Sequence, residues 1–121
     1  MYKDLSYEVI GCCFEVYNFL GYGLREKNYQ DALEKTFTEK GIKFEKEKYV
    51  PIKIYGKACG KHYIDFLINY KIAIEIKARD YFSAKNIDQL YSYLKSGDKK
   101  LGISVNFTSR GIRYKRIVNL N

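Results

Sequence analysis

The sequence has one proline, one histidine and three cysteines among 121 residues, and it contains no internal repeat, linker or low-complexity stretch. A chain this poor in proline, 46% hydrophobic and 30% charged, does not have the composition of a disordered tail. No apolar run approaches the ~20 residues that a membrane-spanning helix needs. The opening Met1-Tyr2-Lys3-Asp4 does not lead into the hydrophobic stretch of a signal peptide, so the expected location is cytoplasmic. There is no C-x-x-C pair and no second ligand cluster, which argues against a zinc site. The odd number of cysteines suits a reducing compartment. Cys12, Cys13 and Cys59 are expected to be small buried apolar residues.

What is present is an excess of positive charge. The formal net charge is +8, and it is unevenly spread. From Lys95 onward the basic residues are Lys95, Lys99, Lys100, Arg110, Arg113, Lys115 and Arg116, against the single acid Asp98. A basic end on a folded domain favours a polyanionic partner, although the same charge also solvates an ordinary surface. The length is that of one domain, residues 1–121, burying roughly two-thirds of its unfolded surface.

Periodicity divides the chain into elements. Val9, Cys13, Val16 and Leu20 recur at helical spacing within Leu5–Leu20, and Gly21-Tyr22-Gly23 punctuates the end. A second helix begins near Leu24, carries the stripe Tyr29, Leu33, Phe37, and ends at Gly41. Strand character follows over Phe44–Ile54, with Pro51 pointing to an edge or a bulge. Gly56 and Gly60 bracket an expected turn. Tyr63–Ile68 and Ile72–Ala78 read as strands, Ala84–Lys95 as a helix, and Leu101–Phe107 and Ile112–Leu120 as two further strands. The order α-α-β-β-β-α-β-β predicts a mixed α/β domain.

The chemistry concentrates in Tyr63–Ala78. Side chains alternate along a strand, so Ile72, Ile74 and Ile76 share one face, and Ala73, Glu75 and Lys77 share the other. Asp65 lies inside Tyr-Ile-Asp-Phe-Leu-Ile, where a buried carboxylate without a partner is costly. A hairpin turning about Tyr70 sets Asp65 across from Glu75, and facing like charges destabilise a sheet pair. A divalent cation held by both carboxylates would resolve the repulsion. A one-residue slip would instead place the acids on opposite faces. Lys77 points the same way as Glu75 and supplies a fixed positive charge beside such an ion. Asp-x₉-Glu-x-Lys is thus equipment for phosphodiester hydrolysis. His62 stands at an odd offset from Asp65, so a regular strand turns it to the other face; only a bulge would bring it in.

These residues resemble a known family. Asp65, Glu75, Ile76 and Lys77 look like the catalytic motif of the PD-(D/E)XK nuclease superfamily, with its restriction-endonuclease-like fold. Gly23-Leu-Arg-Glu26-Lys-Asn-Tyr29 resembles the G-x-x-E-x-x-Y signature of the GxxExxY branch. Gln89-Leu-Tyr-Ser-Tyr93 resembles the Q-x-x-x-Y of RecB-like nucleases. The resemblance spans about Leu5 to Val118, and Ile64 stands where the superfamily often has proline. It implies Asp65 and Glu75 as main metal ligands, the backbone carbonyl of Ile76 completing the set, and Glu26 as a further acid at the metal. It implies Lys77 as the catalytic lysine, with Gln89 and Tyr93, one helical turn apart, contacting substrate or positioning the acids.

The expectation is therefore a restriction-endonuclease-like core, a central mixed sheet with helices on both sides and the site at one edge. The expected activity is Mg²⁺- or Mn²⁺-dependent hydrolysis of nucleic acid, DNA before RNA, with a homodimer or protein partner as further possibilities and no membrane. Tyr81 and Tyr91 are candidates to stack on unpaired bases. The alternative is a non-catalytic nucleic-acid-binding or accessory module on the same fold.

Overall fold

The helices begin and end where local chemistry dictates. In the computed structural model, which describes residues 1–120 (the side chains of Ile52, Lys53 and Lys61 excepted), α1 spans Lys3–Leu20 and α2 spans Glu26–Glu39. The first buries Ser6, Val9, Cys12, Cys13 and Val16 along one stripe, and the second buries Tyr29, Leu33 and Phe37. The second helix closes through Gly41, whose φ of 71° lets the Ile42 N–H turn back to the Phe37 carbonyl at 2.9 Å.

Five strands follow: β1 Phe44–Ile54, β2 Lys57–Ile68, β3 Ile72–Lys77, then, after α3 (Ala84–Ser96), β4 Leu101–Thr108 and β5 Gly111–Val118. The element order is the one the periodicity predicts. The strands lie side by side in sequence order, β1-β2-β3-β4-β5, within one sheet. All neighbours are antiparallel except β3 and β4, which run parallel and are joined through α3. Both expectations for Pro51 hold, since β1 is an edge strand and its register shifts just after Ile52.

Apolar layers cover both faces of the sheet. On one face α1 and α2 pack Val9, Val16, Leu33 and Phe37 against Phe66, Ile74, Val105 and Phe107. On the other, Leu90, Tyr93 and Leu94 of α3 pack against Val50, Ile64, Leu67 and Ala73. The approach of α3 is close. A Cβ on Gly102 would stand 3.0 Å from Leu90 Cγ, so only glycine lets the helix sit at this distance.

The strand alternation breaks once. Phe66 and Ile68 face α1 and α2, and Leu67 faces α3, as the pleat requires. Ile64 should accompany Phe66 but joins the α3 layer. Beside the break, Glu47 of β1 is left-handed at φ 51°, between Lys46 and Lys48, whose partners Phe66 and Ile64 flank Asp65. The strand turns over at Asp65.

Three expectations need correction. Gly60 does not bracket a turn but lies within β2, because the hairpin closes tightly at Tyr55 and Gly56, both left-handed. Cys59 is exposed rather than buried, since it sits near the tip of that hairpin, whereas Cys12 and Cys13 are buried as expected. The acids do not lie at a sheet edge: β2 and β3 are interior strands, and the site lies where their pairing with each other stops.

A candidate active site at the end of the central hairpin

The β2–β3 ladder is short. It pairs Ile68 with Ile72, Leu67 with Ala73 and Phe66 with Ile74, and stops there. The next position in that register sets Asp65 facing Glu75, as the hairpin reading requires. In place of a further rung, the Ile76 N–H donates to Asp65 Oδ2 at 2.6 Å. A residue's N–H and C=O point the same way from a strand, so the Ile76 carbonyl also points toward β2, beyond the end of the ladder.

Charge accumulates at this point. Burial and the Glu75 carboxylate push the Asp65 carboxyl up to about 7, with Glu26 adding to the rise; the Ile76 N–H and Lys77 pull it back. Glu75 is nearly enclosed, and its Oε1 has no hydrogen-bond partner. A largely buried carboxylate facing a second carboxylate fits the needs of a cation. Among the described residues no three His, Cys, Asp or Glu side chains form a closed cage for an ion. A site of one or two carboxylates with room for water and phosphate oxygens is nevertheless what Mg²⁺ usually takes.

Glu26 is the first residue of α2 and comes over the end of the sheet, its Oε1 3.7 Å from Lys77 Nζ. Gln30 also donates to that oxygen at 3.4 Å. The loop before the helix is held by Tyr29, whose buried hydroxyl donates to the Gly21 carbonyl at 2.6 Å while its ring stacks on Phe107 at 4.2 Å. Tyr29 therefore anchors and Glu26 reaches in, which accounts physically for the G-x-x-E-x-x-Y spacing. Asp65, Glu75, Lys77 and Glu26 are brought together.

Gln89 and Tyr93 are set to one side. With Val50, His62, Lys85, Asp88 and Ser92 they line a cavity of about 500 Å³ between α3 and the first hairpin. Burial raises the Tyr93 phenol to about 12, so it stays neutral and can only act as a hydroxyl.

Sequence reasoning set aside one residue that the structure brings in. Because the strand turns over at Asp65, His62 lies on the α3 side with its Nε2 3.5 Å from Glu75 Oε1. It also missed Asn106, fully buried in β4 beside Lys77, which donates to the Tyr81 carbonyl at 2.7 Å and leaves its Oδ1 unpartnered. The sequence carries no signal for it, because Asn106 is one of the polar residues (Ser104, Asn106, Thr108) that alternate with Ile103, Val105 and Phe107 as in any half-exposed strand. Farther along the same rows, Arg113 pairs with Asn106 and Lys115 with Ser104, so both cations of β5 stand on the site's face. Tyr81 is exposed in the loop after β3, under the Arg79 guanidinium at 4.9 Å.

No helix among the described residues is long and apolar enough to cross a membrane. No curated protein matches the chain. Among solved structures, SSO0001 superposes with a TM-score of 0.61 and 25% identity, over 77% of this chain and 49% of its own; this chain thus spans about half its length. An alkaline exonuclease (LHK-Exo) from Laribacter hongkongensis superposes with a TM-score of 0.51 and 12% identity, over 88% of this chain and 76% of its own, a likeness of fold. The sequence profile of the PD-(D/E)XK nuclease superfamily matches residues 3–117. With a mixed sheet between helices and an Asp, Glu and Lys at the end of its central hairpin, the chain belongs to the PD-(D/E)XK nuclease superfamily.

Proposed function

We propose that this chain is a metal-dependent nuclease that hydrolyses phosphodiester bonds, with DNA as the first substrate to test. The observation that carries the reading is the convergence of Asp65, Glu75, Lys77 and Glu26 where the β2–β3 ladder stops. Asp65 and Glu75 would hold Mg²⁺ or Mn²⁺, with the Ile76 carbonyl as a third oxygen and Glu26 as a further acid nearby. The chemistry that such an ion supplies when bound is charge neutralisation at phosphorus and a lowered pKa for water.

The chain's own groups do the rest. Lys77 offsets the negative charge that develops on the phosphoryl oxygens. Glu26 holds the Lys77 ammonium over the end of the sheet until substrate arrives. Asp65 must lose its proton before it can serve, which couples ion binding to pH. Arg113 and Lys115 extend positive charge away from the site for the flanking phosphates. Gln89 and Tyr93 line the adjoining cavity and contact the substrate there.

The test is cleavage of labelled single-stranded, duplex and flapped DNA and of RNA, in Mg²⁺, Mn²⁺ and EDTA. Metal-dependent cutting that disappears in Glu75→Ala and Lys77→Ala supports the reading. Salt-sensitive binding without cutting in any lane, and without stabilisation by either cation, would favour an accessory nucleic-acid-binding module instead.

A further inference from the structure

His62 is the only histidine, and it lies in β2 three residues before Asp65, where the strand turns over. A regular strand would carry it away from Glu75. The left-handed Glu47 and the reversal at Asp65 bring it back, so that two polar atoms meet in an enclosed place. His62 Nε2 and Glu75 Oε1 are both shut off from solvent, neither has a hydrogen-bond partner among the described residues, and they stand 3.5 Å apart. The two side chains are only 20% and 13% exposed. Closing the gap by roughly half an ångström would give a hydrogen bond of ordinary length.

The enclosure decides what the pair can do. Oε1 is shut off from solvent beside the imidazole, so it is the less accessible oxygen for an ion. Oε2 is not shut off in this way, and it is the oxygen left for an ion. Tyr93 lies 6.3 Å from the ring between centroids, and the imidazole also lines the α3 cavity. The imidazole thus borders both that cavity and Glu75.

We propose that His62 is a positioning residue: its Nε2–H holds Glu75 Oε1, fixing the carboxylate so that Oε2 is presented to the ion and the scissile phosphate. This rests on the nuclease reading above. The imidazole does for Glu75 what an outer hydrogen bond does for many metal-binding carboxylates, fixing the orientation and cutting the freedom lost on binding. A role in packing alone would need only a ring of similar size.

The experiment measures Mn²⁺ affinity from the paramagnetic resonance signal of the free ion, for wild type, His62→Phe, His62→Gln and Glu75→Gln. Phenylalanine keeps the ring and removes the donor; glutamine keeps a donor near the Nε2 position and removes the ring. The expected result is about tenfold weaker binding in His62→Phe, with His62→Gln within about threefold of wild type. Melting temperatures in EDTA should not follow that order. Wild-type affinity in His62→Phe, or equal weakening in both variants, overturns the proposal. So does a nitrogen coupling from imidazole in the pulsed spectrum of bound Mn²⁺, which would make His62 a direct ligand. If wild type binds and Glu75→Gln does not, these failures fall on His62 alone. If wild type binds no Mn²⁺, the nuclease reading and this one fall together.

Discussion

Asp65 Oδ2 accepts the backbone N–H of Ile76 at 2.6 Å, so a side chain takes the place of a backbone rung at the end of the β2–β3 ladder. The carboxylate is thereby fixed against the strand that carries Glu75 and Lys77. The same bond fixes the Ile76 backbone at the end of the ladder.

That arrangement has a pH signature. Burial and Glu75 raise the Asp65 pKa to about 7, so the folded protein keeps a proton that the unfolded chain loses near the ordinary aspartate value. Its contribution to stability is fully present below that ordinary value and is lost as pH rises through about 7. In EDTA the wild-type melting temperature should fall between about pH 4 and about pH 7, and Asp65→Asn should show a smaller fall. An identical pH profile in the two proteins would refute this origin.

Cation and proton compete for the same carboxylates. Mn²⁺ should raise the melting temperature of wild type above neutral pH and much less near pH ~5, by mass action on a deprotonated site. Asp65→Asn and Glu75→Ala should abolish the increment. An undiminished increment in Asp65→Asn would place the ion elsewhere.

Lys77→Ala should cut the cleavage rate by roughly a hundredfold or more, as for loss of a positioned charge at a transition state. Its effect on Mn²⁺ affinity should be small and of opposite sign, because a nearby positive charge is removed. Parallel rate and binding measurements separate the two.

Tyr29→Phe removes the hydroxyl that holds the Gly21 carbonyl. Chemical denaturation should show a loss of about 1 kcal/mol. Because this bond fixes the loop entering α2, the variant should also lose the influence of Glu26 on Lys77, seen as a lower cleavage rate at unchanged Mn²⁺ affinity.

Charge on β5 is testable through salt. Neutralising Arg113 and Lys115 should weaken nucleic-acid binding across sequences and flatten the salt dependence by about one unit of slope for each phosphate that is no longer neutralised. The paired variant Lys99→Ala and Lys100→Ala, beyond the end of α3, should leave that slope nearly unchanged.

Most of the architecture was legible because the signals were local. The apolar alternation of Ile72–Ile76 set the faces of β3, and a turn around Tyr70 fixed which acid faced which; the structure closes that turn with Asn69 and Tyr70 both left-handed. The apolar stripe Tyr29, Leu33, Phe37 marked the second helix, while Glu26 was singled out only through the family resemblance of Gly23 to Tyr29. His62 was not legible, because its placement depends on Glu47, a non-glycine residue with positive φ that nothing in the sequence marks. The interior position of the site was missed for a similar reason. Strand order comes from pairing between distant segments, and β4 covers the far side of β3 only after the α3 crossover. Cys59 was misjudged because a cysteine at a hairpin tip has the same local pattern as one in a core.

The sequential strand order bears on how the site comes into being. Asp65, Glu75 and Lys77 belong to one hairpin whose pairing needs only a short loop to close, whereas Glu26 arrives with α2, and α1 is tied to the end of β4 by the Tyr17 hydroxyl on the Thr108 carbonyl at 2.7 Å, across most of the chain. Short loops close early and long ones late. The strand carboxylates can therefore meet before the amino-terminal helices dock, and their repulsion must be borne during folding unless a proton or a cation relieves it.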